Sequence, residues 1–391
     1  MRRMAALLFL VGCGEVREMP ADGASSDGGD DAATIDAPPA ACGDGHRDPG
    51  ETCYAPPFTY TTSDVTFDGQ LSDLDGDGDR DLWWLIGDEY QYLSQQANQF
   101  AGADSNGPTT FGTFARAVNL GGDARLELVD AGPDGITTWQ TSGAASTYTK
   151  LNTAPPTSQT GPLNGLEVAN VAGGTLPNVI ALYGTNVVLG TYTSQLVLST
   201  YVVTSVPTAA RGLTVGKINT DAYADIVVAF ATGVVVFRGK NDGVEGPNYT
   251  AQMAATDDVA IGDIDGDGTA DIAFVVGGAS GQLGVLHGLG GAAFSAPITR
   301  AVANLGKVID IADVDGDGRG DVIAARIQTG ANAVLVAHGN VDATLGEPVA
   351  LPIADGIHFV HADADFNGDG APDIVATDRD FQVLTVLAST P

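Results

Sequence analysis

The stretch Asp263-Ile264-Asp265-Gly266-Asp267-Gly268-Thr269-Ala270-Asp271 decides the fold class, because the chain repeats its pattern at intervals. Acids stand at positions 1, 3, 5 and 9 of these nine residues, glycines stand at positions 4 and 6, and an apolar run follows. Oxygen donors that alternate along a tight, glycine-permitted turn can converge on one hard cation, and Ca²⁺ takes about six to eight oxygens. The pattern therefore predicts a calcium-binding loop.

Six further loops align with this one. Three are complete, at residues 73–81, 313–321 and 365–373, the last with Asn367 at position 3. Three are weakened, at residues 119–127, 170–178 and 217–225. The loops, numbered one to seven in chain order, begin 46, 51, 47, 46, 50 and 52 residues apart. A period of about 49 residues suits a four-stranded propeller blade with its turns, so seven loops predict seven blades.

Short apolar runs rich in β-branched residues follow the loops, as in Ile226–Phe230 and Ile272–Val276. They are apolar on both faces, which is typical of strands packed between neighbouring sheets. We therefore predict an all-β fold, a seven-bladed β-propeller of four-stranded antiparallel blades over residues 54–391. The alternating segment Phe58–Thr62 is expected to complete the last blade, beside Val383–Leu387, and so to close the ring.

The Asp loop, the strand after it and a later Gly-containing turn, as in Leu283–Gly288, together resemble the FG-GAP/VCBS repeat, the unit of the integrin α-subunit propeller. The resemblance covers roughly residues 58–391. An EF-hand is a poorer match, because its longer loop ends in a bidentate Glu and lies between helices. The resemblance implies that each loop joins the first two strands of a blade. It also implies that Ca²⁺ is bound by side chains 1, 3, 5 and 9 and the carbonyl of residue 7.

Carried onto this sequence, the resemblance implies about four calcium ions, in loops one, five, six and seven. The implied ligands are Asp73, Asp75, Asp77, Asp79 and Asp81; Asp263, Asp265, Asp267, Thr269 and Asp271; Asp313, Asp315, Asp317, Arg319 and Asp321; and Asp365, Asn367, Asp369, Ala371 and Asp373. Loops two and three have lost most ligands, and loop four has Lys217 at position 1, where its ammonium could replace part of the metal charge. No tight Ca²⁺ is expected in these three loops. In a closed ring the four complete loops are consecutive, which leaves the other arc metal-free.

The first 53 residues lack the repeat. Arg2 and Arg3 precede the apolar run Ala5–Val11, which is too short for a permanent membrane helix and is typical of an export signal. The residues Leu10-Val11-Gly12-Cys13 resemble the bacterial lipobox, which implies that residues 1–12 are a lipoprotein signal peptide and that Cys13 carries lipid. The alternative is an ordinary signal peptide with a chance cysteine. Residues 13–41 have almost no large apolar side chains and are predicted to be a disordered acidic tether.

Two cysteines remain in this exported chain once Cys13 is assigned to lipid. Cys42 and Cys53 are expected to form a disulfide that closes the loop 42–53. This segment resembles the opening of the Cys-rich repeat of myxobacterial surface proteins, although the later cysteines of that repeat are missing. We interpret it as a structural staple. Its acids could alternatively bind a cation.

The charge balance limits the partners. The chain has 17 Lys and Arg against 49 Asp and Glu, a formal net charge of −32, which repels phosphate backbones and excludes nucleic-acid binding through a general basic face. We expect a monomer, lipid-anchored at the bacterial envelope, that serves adhesion, recognition or scaffolding through an unknown extracellular protein or glycan. Gly14, where an Asp would favour retention in the inner membrane, favours the outer membrane or cell surface.

No catalytic residue is predicted. His287 and His338 share one repeat position before Gly, which favours a turn role over catalysis. The alternative function is a propeller enzyme acting on extracellular polysaccharide, which would need one special pair of acids rather than several similar loops. Trp83, Trp84, Trp139 and the stretch Tyr90-Gln91-Tyr92 could form a sugar or peptide platform, but such aromatics more often pack in the core.

Overall fold

The computed structural model describes residues 42, 49–50, 52–61, 66–73, 81–86, 89–96, 99–105, 113–120, 126–132, 135–141, 148–154, 161–253, 255–353, 356–378 and 383–390. In these residues the chain forms 27 strands and no helix, so the all-β prediction is confirmed. None of the described segments is a helix long and apolar enough to cross a membrane. The predicted signal peptide, the lipidation of Cys13 and the tether lie outside the described residues.

Four sheets are each formed by four consecutive antiparallel strands. Strand β1 (Phe58–Thr61) precedes them and belongs to a later sheet. The first sheet contains β2 (Thr66–Ser72), β3 (Asp81–Ile86), β4 (Glu89–Gln96) and β5 (Gln99–Ser105), and the second contains β6 (Phe114–Val118), β7 (Glu127–Gly132), β8 (Gly135–Thr141) and β9 (Tyr148–Ala154). The third contains β10 (Leu163–Ala169), β11 (Asn178–Tyr183), β12 (Asn186–Tyr192) and β13 (Leu198–Ser205), and the fourth contains β14 (Ala210–Gly216), β15 (Asp225–Phe230), β16 (Gly233–Lys240) and β17 (Gly243–Gln252).

The next sheet has seven strands instead of the four that the repeat predicts. Its strands are β18 (Asp258–Gly262), β19 (Asp271–Val276), β20 (Gly278–Leu286), β21 (Ile298–Ala312), β22 (Asp321–Arg326), β23 (Ala333–Ala337) and β24 (Val349–Pro352). The two numbers differ because β21 is 15 residues long and belongs to two sets of strands. Residues 298–305 of β21 pair with β20, and residues 305–312 pair with β22. The sheet is therefore two four-stranded sets that share one strand.

The last sheet joins the two ends of the repeat region. It contains β25 (Phe359–Ala364), β26 (Asp373–Asp378), β27 (Val383–Leu387) and, beside β27, strand β1. Phe58 pairs with Val386 and Thr61 pairs with Val383 in antiparallel register. The prediction that residues near 58–62 complete the last sheet is confirmed.

The first strands of successive sheets contact one another. Each contacts the next in the order β6, β10, β14, β18, β21 and β25. Strand β2 contacts both β6 and β25. The strands that follow loops two, three and four, namely β7, β11 and β15, are buried along their whole length. Each such strand packs between two sheets, so no polar alternation is possible. The sheets are consistent with propeller blades.

The core includes two of the three tryptophans. Trp83 is 0% exposed and Trp139 is 4% exposed, and the Trp139 indole N–H donates to Asp130. These two rings cannot form a surface platform, so that alternative is wrong for them. The side chain of Trp84 lies outside the described part of the structure.

Candidate metal sites

Loops five, six and seven lie between the first two strands of their sets. Loop five begins directly after β18 and ends at Asp271, the first residue of β19. Loop six joins β21 to β22, and loop seven joins β25 to β26, in the same way. This is the placement that the sequence resemblance implied. In loop one, Asp73 and Asp81 flank the part that the structure leaves undescribed, which contains Asp75, Asp77 and Asp79.

The carboxylate at position 1 shapes the turns of loops five and seven. In loop five, Oδ1 of Asp263 accepts the backbone N–H groups of Gly266 at 2.9 Å and Asp267 at 3.1 Å, and Oδ2 accepts that of Gly268 at 2.8 Å. Gly266 and Gly268 have φ values of +74° and +83°, a conformation that favours glycine. Asp365 of loop seven makes the same contacts with the residues at positions 4, 5 and 6.

This turn brings the acids at positions 1, 3 and 5 together. One ligand oxygen from each of Asp263, Asp265 and Asp267 lies within 4.8 Å of the others, and Asp313, Asp315 and Asp317 of loop six form an equivalent group. Carboxylates at this distance repel one another, and a bound cation would offset that repulsion by attracting each of them. Because the donors are carboxylate oxygens on a short, glycine-permitted turn, they fit a hard divalent cation. These clusters could hold a metal ion.

The residue at position 9 has a second role that the sequence analysis missed. Asp271 is 0% exposed; its Oδ2 accepts the N–H of Ile264 at 2.8 Å, and its Oδ1 accepts the N–H of Gly288 at 2.6 Å. It thereby ties the loop to the turn after the third strand. The equivalent donors are Val314 and Gly339 for Asp321, Phe366 and Ser389 for Asp373, and Ile218 and Gly239 for Asp225. Burial raises the pKa of Asp225, Asp271 and Asp373, and these N–H donors partly oppose that shift.

The weakened loops keep the contact between position 9 and the start of the loop, although none of them has an acid at position 1 or 3. Glu127 of loop two accepts the N–H of Leu120 at 2.7 Å, and Asn178 of loop three accepts the N–H groups of Val171 and Ala172. The sequence held the signal, because position 9 is polar in all seven loops. The position-9 side chain therefore fastens the loop whether or not the loop could bind a metal. That the four position-9 aspartates also ligate Ca²⁺ stays a prediction.

Two histidines lie against the acidic clusters. Nδ1 of His287 is 3.1 Å from Asp265 and 3.2 Å from Asp271, and Nδ1 of His338 is 3.3 Å from both Asp315 and Asp321. Burial opposes the charge of His338, but the two carboxylates outweigh it and raise its pKa to about 9. The two histidines occupy the same position of the repeat, and each contacts the aspartates at positions 3 and 9 of its own loop.

An arginine side chain pairs with an acid of loop six, and an asparagine amide contacts an acid of loop four. The guanidinium of Arg319, a residue predicted to offer its carbonyl, pairs with Asp317 and donates from Nε to the carbonyl of Gly339 at 2.8 Å. In loop four Lys217 is exposed, and Nδ2 of Asn219 donates to Asp225 at 3.1 Å. In loop four the Asn219 amide therefore contacts the Asp225 carboxylate, where the Lys217 ammonium was expected to supply positive charge.

Comparison with known proteins agrees with this geometry. The profile of the FG-GAP-like repeat matches residues 313–376, which contain loops six and seven. The chain therefore contains an FG-GAP-like repeat. No curated protein sequence matches the chain.

Solved structures resemble the chain at low sequence identity. A lectin of Agrocybe aegerita that recognises non-reducing terminal N-acetylglucosamine is 15% identical, with a TM-score of 0.57, over 84% of this chain and 86% of the lectin. BBS1N in complex with ARL6DN, soaked with mercury, is 13% identical, with a TM-score of 0.59, over 86% of this chain and 97% of BBS1N. A second crystal of that complex, soaked with lead, gives 14% identity, a TM-score of 0.58, and coverage of 87% and 98%. At these identities the likeness concerns the fold alone, and with the FG-GAP-like repeat it supports a propeller protein.

A cavity of about 720 Å³ opens among the first strands, away from the loops. Its lining comes from β6, β10, β14, β18, β21 and β25. The lining includes both positively and negatively charged side chains. Arg116 pairs with Glu167 at 2.8 Å, while Arg211 and Lys307 lie 3.0 Å and 3.4 Å from Asp257. Burial, reinforced by nearby carboxylates, raises the pKa of Asp258 to about 7.

Proposed function

We propose that the chain is a calcium-stabilised, seven-bladed β-propeller that serves adhesion, recognition or scaffolding at the bacterial surface. The observation that carries the proposal is the convergence of the acids at positions 1, 3 and 5 in loops five and six. Loop seven supports it with the same backbone turn around Asp365. Loop one carries the same sequence pattern, so about four ions are proposed.

The strand order supports seven blades. Each of the seven loops precedes a strand that is second in its set, and counting β21 in two sets gives seven groups of four strands. The first strands follow one another in contact, and β2 adjoins β25. The pairing of β1 with β27 then completes the last group, which is the way in which a closed ring removes its open edge.

The chain's own residues prepare the cation site. Asp263 orders the turn through three backbone N–H groups, and Asp271 fastens the loop to the third strand. Bound Ca²⁺ would supply the positive charge that offsets repulsion among the carboxylates. The chain has a net charge of −32, and self-repulsion of this charge opposes folding. Positive charge from bound Ca²⁺ would therefore stabilise the folded chain.

Recognition is proposed for the surface that the metal loops leave free. Loops two to four have no acid at position 1 or 3, so the surface around these loops is proposed to be metal-free and to receive a partner. Proteins with a similar fold include a lectin for N-acetylglucosamine and BBS1N in complex with ARL6DN, which supports an extracellular glycan or protein as the partner. Lipid on Cys13 and the segment 14–41 would hold the domain, as a monomer, at the outer membrane or cell surface.

One observation favours the alternative, an enzyme acting on extracellular polysaccharide. Asp258, with its raised pKa, and Asp310 line the same cavity, and a glycosidase needs one acid whose pKa is raised beside a second carboxylate. Hydrolysis of a surface polysaccharide that Asp258→Asn and Asp310→Asn each abolish would establish this function. Activity that survives both variants would remove it.

The calcium proposal is tested by counting ions. After chelation, the full chain in detergent is titrated with Ca²⁺ by calorimetry, and its thermal midpoint is followed. We expect about four ions and a clear rise in the midpoint, since each site contributes about 2.7 kcal/mol at a hundredfold excess over its Kd. The variant Asp263→Asn/Asp265→Asn should lose one ion, whereas Asp221→Asn, in loop four, should lose none. A wild-type chain that binds no ion would contradict the proposal.

A further inference from the structure

Two described residues of the disulfide segment, Gly50 and Thr52, contact loop six and the histidine that lies against it. The N–H of Gly50 donates to Oδ2 of Asp315 at 2.5 Å, and Oγ1 of Thr52 lies 2.6 Å from Nε2 of His338. These contacts join residues more than 260 positions apart in sequence. The N-terminal segment therefore reaches two side chains of one candidate metal site.

The segment is held in place on both sides of this contact. Cys42 and Cys53 form a disulfide with a Cα–Cα distance of 5.3 Å, which closes the segment that carries Gly50 and Thr52. After it, the carbonyl of Cys53 accepts the N–H of Thr390 at 3.0 Å, and the N–H of Ala55 donates to Ala388 at 2.8 Å. The disulfide thus restricts the segment on one side, and the residues that follow β27 restrict it on the other.

Loop five provides an internal comparison. His287 contacts Asp265 and Asp271 as His338 contacts Asp315 and Asp321. The side chain of His287 is 27% exposed, and that of His338 is 16% exposed. Asp265 is 6% exposed, and Asp315 is 1% exposed. The same arrangement is therefore more enclosed at loop six, where Gly50 and Thr52 contact it.

The contacts of Gly50 and Thr52 restrict the two side chains of this site that can rotate, the Asp315 carboxylate and the His338 ring. Nδ1 of His338 faces two carboxylates, so Thr52 at Nε2 fixes the other end of the ring. Gly50 fixes the Asp315 carboxylate, whose Oδ1 also accepts the N–H of Asp317 at 3.1 Å. Groups that orient a metal ligand from outside change metal affinity by about 10- to 100-fold.

We propose that the segment closed by Cys42 and Cys53 is a positioning element for loop six, so that the closed disulfide and a cation bound at this loop stabilise each other. This inference rests on the proposed cation binding. Gly50 and Thr52 are positioning residues, because they act through Asp315 and His338. Coupling between two equilibria is reciprocal, so opening the disulfide should weaken cation binding, and the bound cation should protect the disulfide from reduction.

The first test measures Ca²⁺ affinity in the full chain by calorimetry. Cys42→Ser/Cys53→Ser should weaken one site of the set by about tenfold and leave the other sites unchanged. Thr52→Val should weaken the same site, and Thr52→Ser, which keeps the hydroxyl, should restore it. Unchanged affinities in the double cysteine variant would overturn the inference.

The second test measures the rate at which dithiothreitol reduces the Cys42–Cys53 disulfide. Millimolar Ca²⁺ should slow reduction in the wild type and in Asp263→Asn, which changes loop five. It should have no effect in Asp313→Asn, which changes loop six without touching Asp315. Equal protection in the two variants, or none in the wild type, would overturn the inference. A wild-type chain that binds no Ca²⁺ overturns the proposed function as well, whereas bound ions without coupling overturn this inference alone.

Discussion

At the scale of residues, the buried side chain at position 9 explains why the weakened loops keep their place in the fold. Asp225 retains two backbone N–H donors although loop four begins with Lys217 instead of an acid. Two charge-assisted hydrogen bonds to a fully buried carboxylate contribute to stability without any metal. The loop has thus two separable parts, a cluster of acids at positions 1, 3 and 5 and a structural contact at position 9.

We predict that Asp225→Ala destabilises the chain by about 3 kcal/mol, because the N–H groups of Ile218 and Gly239 lose their acceptor. The loss should be equal with Ca²⁺ and with chelator, as measured by urea unfolding. Lys217→Ala, on an exposed residue of the same loop, should change stability by less than about 0.5 kcal/mol. A Ca²⁺-dependent loss in Asp225→Ala would show that loop four binds the ion.

Asp258 gives a prediction for pH dependence. Its folded-state pKa of about 7 lies above the ordinary value of 3.8, so the folded chain binds the proton more tightly than the unfolded chain. The stability that this group contributes is therefore complete below pH 4 and is lost as the pH rises through 7. In chelator, Asp258→Asn should be more stable than the wild type at pH 8, with the difference shrinking toward pH 4. Thermal midpoints that differ by the same amount at both pH values would contradict this assignment.

At the scale of elements, the sequence predicted the strands well where apolar runs follow the loops, as in β15 and β19. It also predicted the pairing of β1 with β27, because the last repeat lacks a fourth strand and Phe58–Thr62 alternates. It did not predict that β21 runs unbroken from one set into the next. The continuous backbone around Gly306 and the irregular register between Leu305 and Ile309 depend on both neighbouring strands, which no local pattern contains.

The same limit applies to the candidate sites. Spacing alone placed the acids at positions 1, 3 and 5 together, because the turn is local. The contacts of Gly50 and Thr52 with loop six depend on where the chain ends meet in the folded molecule, so the sequence could not reveal them. The pairing of Arg319 with Asp317 was also missed, because the repeat alignment treated position 7 as a carbonyl.

We predict that a chain beginning at residue 63 loses stability and self-associates. Without β1, the backbone groups of β27 form an open sheet edge that can pair with another molecule. A chain beginning at residue 54 keeps β1 and is the matched control. Thermal unfolding and sedimentation velocity should show a lower midpoint and larger species only for the shorter chain; equal behaviour of the two chains would contradict a closing role for β1.

At the scale of the whole molecule, the proposed ring of repeated sheets carries an uneven distribution of charge. The net charge of −32 is concentrated in part in the complete loops, which would lie side by side in the ring as loops five, six, seven and one. Cations bound on that arc would relieve repulsion between neighbouring sheets as well as within each loop. The remaining arc, with its weakened loops, is the proposed surface for a partner.

The most direct test of this account is a crystal structure of the full chain grown with Ca²⁺, with anomalous scattering used to locate the ions. We expect one closed ring of seven four-stranded blades with four anomalous peaks on consecutive blades, at loops five, six, seven and one, and none at loops two to four. A ring with another number of blades, or complete loops without anomalous peaks, would contradict the account.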